Sequence, residues 1–369
     1  MNITLLQENL LKALTQTGRI ISAKPQLPIV QNVLLVAEKG RLRVSSSNLE
    51  TTETVWVGAR VEKEGGICVS SRVATELVLS LPQEAVQLVV KEGALLVHCA
   101  GFNATIPGID AQEFPPLPTV SKKTATLFPK EALLAALSRV LFCAATDEGR
   151  PLLTGVKIVG KRGELLFVAT DGYRLSLKRV ELEAKEDVDI VVPSRALLEL
   201  MKVGQEEKGV KEVSFVRSDD GQTSFVCGDT EIHTRLIDGE YPGYEKILPA
   251  THTTRAFLDK ERLTRAVKSA AVFAKDNANI VRFHIENQTI TVSANAPSVG
   301  ENSVEVEAKI DGEGGDIAFN SRFLLEFLNN YNEDELLFEM TGSLNPGAFK
   351  PVKDESYLHI IMPVRVTPG

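Results

Sequence analysis

Two groups of residues in the 369-residue sequence have types and spacing that could support catalysis. The first is a Gly-x4-Gly-Lys segment from Gly155 to Lys161, which has the spacing of a phosphate-binding loop. Arg162 follows where that loop needs Ser or Thr to hold Mg²⁺, and the Val-Lys-Ile-Val between the glycines is typical of a strand. The segment therefore predicts a strand and no nucleotide site.

The second group comprises Asp147, Asp171 and Asp238, which could assemble a carboxylate cluster for metal-assisted hydrolysis. Similar segments elsewhere in the chain carry Asn48 and Asn295 at or near the place of Asp171, and residues that recur in this way usually serve turns and caps. A metal-dependent phosphohydrolase remains an alternative interpretation, and it would require a site unique to one segment.

The composition predicts a globular protein of two or three domains. The chain is 43% hydrophobic and carries a net charge of −8, so bulk charge does not favour nucleic-acid binding. The four cysteines form no Cys-x-x-Cys pair and predict no zinc site or other cofactor. The N-terminus lacks the features of a signal peptide, and we expect a cytoplasmic location.

Two amphipathic segments each occur three times in the same order. The first begins at Glu8, Glu131 and Glu261, and the second contains Ser-Arg pairs at residues 71–72, 194–195 and 321–322. The two series predict six helices, within 5–22, 70–81, 128–146, 193–203, 258–276 and 319–332. The recurrence at nearly constant offset indicates a triplicated unit.

Alternating apolar residues between these helices predict β-hairpins, such as 32–46, 155–169 and 280–294. Each unit is expected to contain about two helices and eight strands. We predict an α+β fold in which helices cover one face of antiparallel sheets. The expected domains are residues 1–122, 123–251 and 252–369, with boundaries near Thr119–Thr126 and Ala250–Thr254.

Charge is distributed unevenly between the predicted elements. The six helical segments hold 13 Lys and Arg against eight acidic residues, whereas the remainder of the chain carries a net charge of −13. Basic helices on an acidic body indicate that the helices face a polyanion.

Four segments resemble the bacterial DNA polymerase sliding clamps, the β subunits of the replicase. They are LPIVQNVLL at 27–35, ATDGYRL at 169–175, IDGEYPGYEKILP at 237–249 and HIIMPVRV at 359–366. The resemblance runs essentially from end to end. It implies three DNA-clamp domains per chain, and a ring of two chains joined head to tail, with twelve helices lining a hole for double-stranded DNA. It also implies no catalysis, because encirclement and sequence-independent phosphate contacts are enough to hold a sliding ring.

The resemblance places DNA contacts at Lys24, Arg150 and Arg195. Lys24 stands where Arg is common, and Pro151-Leu152 replace aromatic residues that some relatives have. The lining helices are expected to add the basic residues Lys12, Arg19, Arg72, Lys130, Arg139, Lys202, Arg265 and Lys268.

A hydrophobic pocket for short linear peptides is implied between the second and third domains. The expected partners are the polymerase III catalytic subunit, the clamp loader, other polymerases and repair proteins. Tyr173 stands where His is common, and Lys246 where Arg is common. The pocket residues by this resemblance are Leu153, Thr170, Gly172, Tyr173, Arg174, Leu175, Pro242, Lys246, Ile247, Leu344, Pro346, Ile360, Met362, Pro363, Val364 and Arg365.

The homodimer junction is expected to pair the region of Ala104 and Ile106 with that of Val272 and Phe273. A scaffold that uses only the peptide pocket and never holds DNA is the second alternative. Retention on circular DNA that is lost when the circle is cut distinguishes the two functions.

Overall fold

The computed structural model describes residues 1–22, 25, 27–118, 125–161, 163–181, 187–218, 221–298 and 300–365. These residues form two compact units. The first comprises Met1–Glu131 and Arg195–Leu236, and the second comprises Ala132–Ser194 and Ile237–Gly369. Most of the first predicted domain boundary, residues 119–124, lies outside the described residues.

Six α-helices occur in the described residues, one in each predicted segment. They are α1 (Gln7–Gly18), α2 (Ser71–Ser80), α3 (Lys130–Val140), α4 (Ser194–Glu206), α5 (Lys260–Ala274) and α6 (Ser321–Asn329). The prediction for the fourth helix ended at Val203, before Gly204, but α4 continues to Glu206. Glycine disfavours a helix by only about 1 kcal/mol, which tertiary packing overrides here.

The strands of the described residues follow one another as follows: β1 (Asn2–Leu6), β2 (Asn32–Glu38), β3 (Arg41–Ser47), β4 (Thr51–Gly58), β5 (Arg60–Lys63), β6 (Gly65–Ser70), β7 (Ala85–Lys91), β8 (Ala94–Cys99), β9 (Phe102–Ile109), β10 (Thr126–Pro129), β11 (Gly155–Lys161), β12 (Glu164–Thr170), β13 (Arg174–Glu181), β14 (Val188–Pro193), β15 (Glu212–Arg217), β16 (Gln222–Cys227), β17 (Thr230–Arg235), β18 (Thr254–Asp259), β19 (Ile280–Glu286), β20 (Thr289–Ala296), β21 (Gly300–Gly312), β22 (Gly315–Asn320), β23 (Glu335–Met340), β24 (Gly347–Pro351) and β25 (Tyr357–Ile361).

The element order repeats three times. Each repeat begins with a strand and a helix. Four or five strands follow, and a second helix and three further strands complete the repeat. In the third repeat one long strand, β21, replaces the fourth and fifth strands of the first repeat. The triplication and the α+β class predicted from sequence are confirmed.

Each compact unit contains one antiparallel sheet, and both sheets include strands from two repeats. The first unit has the order β10-β15-β16-β17-β4-β3-β2-β6-β9-β8-β7-β1-β5. The second has the order β14-β11-β12-β13-β25-β24-β23-β18-β21-β20-β19-β22. The middle repeat therefore divides its strands between the two sheets.

Amphipathic helices cover the sheets because their apolar stripes match a buried sheet face. In α1, Leu10, Ala13 and Leu14 are buried against β-strand residues such as Val33 and Leu35. A buried Leu side chain contributes about 1.5–3 kcal/mol. The start of α5 is capped, since Asp259 accepts a bond from the Arg262 N–H at 2.7 Å.

Candidate DNA interface and peptide pocket

The predicted DNA-contacting residues of α1 are paired with carboxylates at the end of α4. Lys12 Nζ lies 2.6 Å from Glu207 Oε1. Arg19 donates two bonds to Glu206, at 2.5 and 3.0 Å, and its Nε lies 3.1 Å from Glu199 Oε2. These cations are therefore neutralised within the first unit.

Three further helix cations pair with a carboxylate on their own helix. Arg72 contacts Glu76 at 3.3 Å, Lys202 contacts Glu199 at 2.6 Å, and Arg265 contacts Glu261. Pairs of this kind stabilise a helix by a few tenths of a kcal/mol and leave the side chains accessible. Lys130 instead donates to the backbone carbonyl of Glu207 at 2.7 Å.

Arg139 is the predicted DNA contact whose surroundings fit that role least. Its guanidinium pairs with Glu333 at 2.5 Å and lies over the rings of Tyr331 and Tyr357, 5.3 and 5.0 Å from their centroids. Only 11% of the side chain is exposed. The position therefore contributes to packing inside the second unit.

Lys268 is exposed on α5, and none of the described residues forms an ion pair or hydrogen bond with it. Arg150 donates to the Asp171 carbonyl at 2.8 Å and lies 3.8 Å from the Asp147 carboxylate. Arg195 lies in α4 and has an interaction partner. Lys24 lies outside the described residues.

The segment ATDGYRL forms a tight turn between β12 and β13. The Asp171 carboxylate accepts bonds from the N–H groups of Tyr173 and Arg174 at 2.9 and 3.0 Å. Thr170 donates to the Arg174 carbonyl at 2.6 Å and accepts from the Gly172 N–H at 3.0 Å. Gly172 has φ +91°, which favours glycine.

Arg174 holds this turn to the rest of the second unit. It contacts Asp171 at 3.0 Å and Glu326 at 2.5 Å, and it donates to the Phe142 carbonyl at 2.8 Å. Its guanidinium lies over the Phe142 and Phe323 rings. Arg174 is buried and therefore positions its neighbours.

Three of the predicted pocket segments, those that contain Leu175, Tyr244 and Ile360, contribute to one apolar cluster of the second unit. Leu175 pairs with Ile360 across β13 and β25, and both pack with Tyr241 and Tyr244. Burial raises the pKa of Tyr244 to about 12 and keeps its hydroxyl neutral. This cluster holds β13, β25 and the segment that contains Tyr241 and Tyr244 together.

The C-terminal segment is fixed to the ATDGYRL turn by its backbone. The Met362 N–H donates to the Tyr173 carbonyl at 2.8 Å, and the Val364 N–H donates to the Ala318 carbonyl at 2.8 Å. Met362, Pro363, Val364 and Pro346 are half-buried, whereas Pro242, Lys246 and Arg365 are exposed and Leu153 and Thr170 are buried.

Three large apolar side chains of the predicted pocket are exposed. Tyr173 is 59% exposed, Leu344 62% and Ile247 37%. Tyr173 stacks on Phe323, with ring centroids 6.2 Å apart. Sequence reasoning missed Phe323 and Glu326. The Ser-Arg repeat could have identified Glu326, since Glu76 and Glu199 occupy the same place in the other repeats.

The predicted dimer residues differ in exposure. Ile106 is 4% exposed and packs into the core of the first repeat, and Ala104 packs beside it. Val272 is 61% exposed and Phe273 is half-buried. Phe102, on the same strand as Ile106, is 54% exposed and was missed.

Family models of the DNA polymerase III beta subunit match all three repeats. The N-terminal domain model matches residues 1–118, the central domain model residues 128–243 and the C-terminal domain model residues 245–365. The chain belongs to the DNA polymerase III beta subunit family. The sequence-based resemblance to sliding clamps is thereby confirmed.

Individual beta subunits are similar over their whole length. The beta sliding clamp of Synechococcus elongatus is 30% identical over 374 residues, covering 99% of this chain and 100% of the relative. The crystal structure of the Bacillus subtilis sliding clamp superposes with a TM-score of 0.94 at 25% identity, covering both chains completely. A Pseudomonas aeruginosa sliding clamp bound to griselimycin has a TM-score of 0.93 at 25% identity, covering 99% of this chain and all of that one.

Beta subunits are non-catalytic accessory proteins, and two of the three candidate carboxylates of this chain hold its turns. Asp147 accepts a bond from the Gly149 N–H, and Asp171 holds its own turn. Among the described residues no group of His, Cys, Asp and Glu could hold a metal ion. Searched over the same residues, the helices include none long and apolar enough to cross a membrane.

One buried cluster has the residue types of a nucleophilic site. Cys143 Sγ lies 3.3 Å from Ser176 Oγ, which lies 2.7 Å from His359 Nδ1. Burial raises the pKa of the Cys143 thiol to about 12 and holds the pKa of His359 well below its usual value. The thiol is neutral and inaccessible, and the cluster joins β13 to β25 in this beta subunit.

Proposed function

We propose that this chain is a DNA sliding clamp, two copies of which close head to tail into a ring around duplex DNA. The ring tethers the replicative polymerase and other partners through short peptides that bind the pocket of the second unit. No bond is made or broken, and the attachment is topological. The clamp would act in the cytoplasm, where bacterial DNA is replicated.

The observation that carries the proposal is the way successive repeats pair their strands. In the first unit, β4 of repeat one pairs with β17, the last strand of repeat two, with Val55 opposite Thr230. In the second unit, β13 of repeat two pairs with β25, the last strand of repeat three, with Lys178 opposite Tyr357. The fourth strand of one repeat thus pairs with the last strand of the next repeat.

By the same rule, β9, the last strand of repeat one, and β21, the fourth strand of repeat three, lack such a partner among the described residues. In the described residues, β9 bonds to β8 along residues 102–107 and reaches β6 only at Gly108 and Ile109. Residues 300–307 of β21, the counterpart of β4, bond to β20 on one side only. Free strand edges invite pairing with another chain. A second copy whose β9 pairs with β21 satisfies both edges.

Internal symmetry also gives the register of this pairing. Val44 pairs with Val55 in repeat one and Val292 with Val304 in repeat three, so that Val304 corresponds to Val55. Phe102 follows the β8–β9 turn as Thr230 follows the β16–β17 turn. We therefore place Phe102 opposite Val304, Ala104 opposite Asn302 and Ile106 opposite Gly300 of the second copy.

The surroundings of the two edges fit an interface. Phe102 and Val272 are exposed apolar residues, and a buried Asn302 side-chain oxygen has no hydrogen-bond partner. Phe273 lies beside Gly300, since a Cβ there would be 3.7 Å from its ring. Ala104 and Ile106 thus lie on one of the two edges, and Phe273 of α5 lies beside the other.

The predicted cations would hold DNA through phosphate contacts. We retain Lys12, Arg19, Lys24, Arg72, Lys130, Arg150, Arg195, Lys202, Arg265 and Lys268, and give Arg139 a packing role. Such contacts carry no base information, which suits a ring that moves along any sequence.

The exposed Tyr173, Ile247 and Leu344 would receive the anchor side chains of partner peptides. Tyr173 stacks on Phe323 and belongs to a turn held by Asp171, so binding at this residue requires little rearrangement. The expected partners are the polymerase III catalytic subunit, the clamp loader, other polymerases and repair proteins. We also expect this chain to bind griselimycin, as the Pseudomonas aeruginosa clamp does.

Two measurements test the proposal. Light scattering should give about twice the chain mass of 40.2 kDa. A loaded ring should stay on nicked circular DNA and leave when the circle is linearised. A monomeric mass, or equal retention on linear and circular DNA, contradicts encirclement. Griselimycin binding without any DNA retention would indicate the scaffold alternative.

A further inference from the structure

The pairs between α1 and the end of α4 differ from the ion pairs that lie within a single helix. Lys12–Glu207 and Arg19–Glu206 join residues separated by 195 and 187 positions in the chain. The Arg72–Glu76 and Arg265–Glu261 pairs lie within one helix, and more than 60% of each side chain is exposed. The α1–α4 pairs are therefore part of the tertiary structure.

The Arg19 pair is bidentate, and it is coupled to a second carboxylate. The bond to Glu206 raises the pKa of Arg19, and the same bond lowers the pKa of Glu206. Glu199, which is largely buried, holds the Nε side of the guanidinium. The planar guanidinium is thus oriented by two hydrogen bonds to Glu206 and by the nearby charge of Glu199.

A paired cation binds phosphate differently from a free one. A free Lys or Arg that neutralises a phosphate releases condensed counterions, which contributes about 0.9 to the slope of log K against log salt. A cation that already has a carboxylate partner must exchange that partner for the phosphate, so the gain in free energy and in counterion release is smaller.

We propose that Glu206 and Glu207 are intramolecular counter-ions that compete with the DNA backbone for Arg19 and Lys12. The two carboxylates weaken the binding of Lys12 and Arg19 to the duplex. They also make that binding less sensitive to salt. This favours movement along DNA, while closure of the ring prevents loss. The inference rests on the proposed function, because it requires α1 to face the duplex.

The test compares the double variant Glu206→Gln/Glu207→Gln with the matched control Glu62→Gln/Glu164→Gln. The control makes the same charge change at carboxylates of β5 and β12, which pair with Arg60 and Arg179. Binding of a labelled 30-bp duplex is measured by fluorescence anisotropy at several KCl concentrations. Light scattering and thermal melting verify that each variant remains folded and dimeric.

We expect the Glu206/Glu207 variant to bind the duplex several-fold more tightly at low salt. Its log–log salt slope should be steeper than that of the wild type by about 1–2. The control variant should strengthen binding less and keep the wild-type slope.

Adding Lys12→Met should then cost more affinity in the Glu207→Gln background than in the wild type. Equal slopes for the double variant and the wild type, with duplex binding intact, overturn the inference and leave the clamp function standing. If no variant binds duplex in a salt-dependent manner, both the inference and the DNA-facing assignment of α1 fail.

Discussion

The Gln16 side-chain amide donates a 3.0 Å hydrogen bond to the carboxyl group of Glu53, which is completely buried. Gln16 also bonds to the Thr230 hydroxyl at 2.8 Å, so the pair joins α1 to β4 and β17. Burial raises the pKa of Glu53 to about 8, because the charged form loses its hydration. Glu53 is therefore largely protonated at neutral pH.

This pKa predicts how stability depends on pH. The folded pKa lies above the unfolded value, so the contribution of Glu53 is fully present below about pH 4.5 and is lost as the pH rises through about 8. Glu53→Gln removes that dependence and should stabilise the first unit at pH 9 by on the order of 1–4 kcal/mol. Urea unfolding at pH 5.5, 7 and 9 measures it. The exposed Glu50→Gln is the control, and a Glu53→Gln protein with the wild-type pH profile would contradict the assignment.

The inter-copy register predicts a specific cross-link. A chain carrying Ala104→Cys and Asn302→Cys should form covalent dimers on mild oxidation, because opposed residues on neighbouring strands lie within disulfide range. The four native cysteines are buried and should not interfere. In the control chain, Ala104→Cys is combined with Glu301→Cys, whose side chain faces the opposite side of the sheet. Similar cross-linking yields for the two chains would disprove this register.

Val272→Asp should convert the dimer to monomers without unfolding the chain. The side chain is exposed in one copy, so the change leaves the core of the third repeat intact. It would place a charge in an apolar interface, at a cost of several kcal/mol. Phe273→Ala should also weaken the dimer, whereas Ile106→Lys would in addition disrupt the first core. Leu127→Asp, at another exposed position, serves as the comparison, and an unchanged dimer mass for Val272→Asp would rule out this interface.

Lys268→Met should lower DNA affinity and leave stability unchanged, whereas Arg139→Met should lower stability. Lys268 has no ion-pair partner among the described residues, so its loss should lower duplex affinity and reduce the salt slope by about 0.9 without affecting stability. Arg139→Met removes the contacts with Glu333, Tyr331 and Tyr357 and should lower the melting temperature. Anisotropy and thermal melting of both variants provide the comparison. A melting temperature unchanged by Arg139→Met, together with a loss of DNA binding, would restore Arg139 to the interface.

Leu344→Ser and Tyr173→Ser should each weaken griselimycin binding at least tenfold while retention on circular DNA stays unchanged. Both side chains are exposed, so their truncation removes pocket surface without opening the core. Isothermal titration measures the affinity, with Leu127→Ser as the matched exposed apolar control. Loss of DNA retention together with ligand binding would mean that the two sites are not separate.

The helices and hairpins were predictable because their signals are local. Alternation and amphipathic spacing are properties of ten to fifteen consecutive residues, and the triplication reinforced them. The exchange of strands between repeats was not predictable, since Thr51 and Thr234 pair across 183 residues and nothing in β17 distinguishes β4 from other partners. Register follows from tertiary packing.

The charge distribution of the helices was also only partly predictable from the sequence. Counting by element identified basic helices, but the predicted end of the fourth helix at Val203 left Glu206 and Glu207 out of the count. The structure extends α4 to Glu206 and places both carboxylates on cations of α1. The family resemblance supplied the pocket residues. Phe323 lies on a distant segment and emerged only from the fold, whereas Glu326 also had a sequence signal in its recurrence with Glu76 and Glu199.

Because the middle repeat contributes β10 and β15–β17 to one sheet and β11–β14 to the other, it does not form a structural unit of its own. A fragment cut at the ends of the middle repeat would contain β13 and β17 without the neighbours β25 and β4 that cover them here. Such a fragment would expose two unpaired strand edges and would aggregate during expression. The chain passes from one unit to the other near residues 131, 194 and 236, so no single cut keeps both units whole.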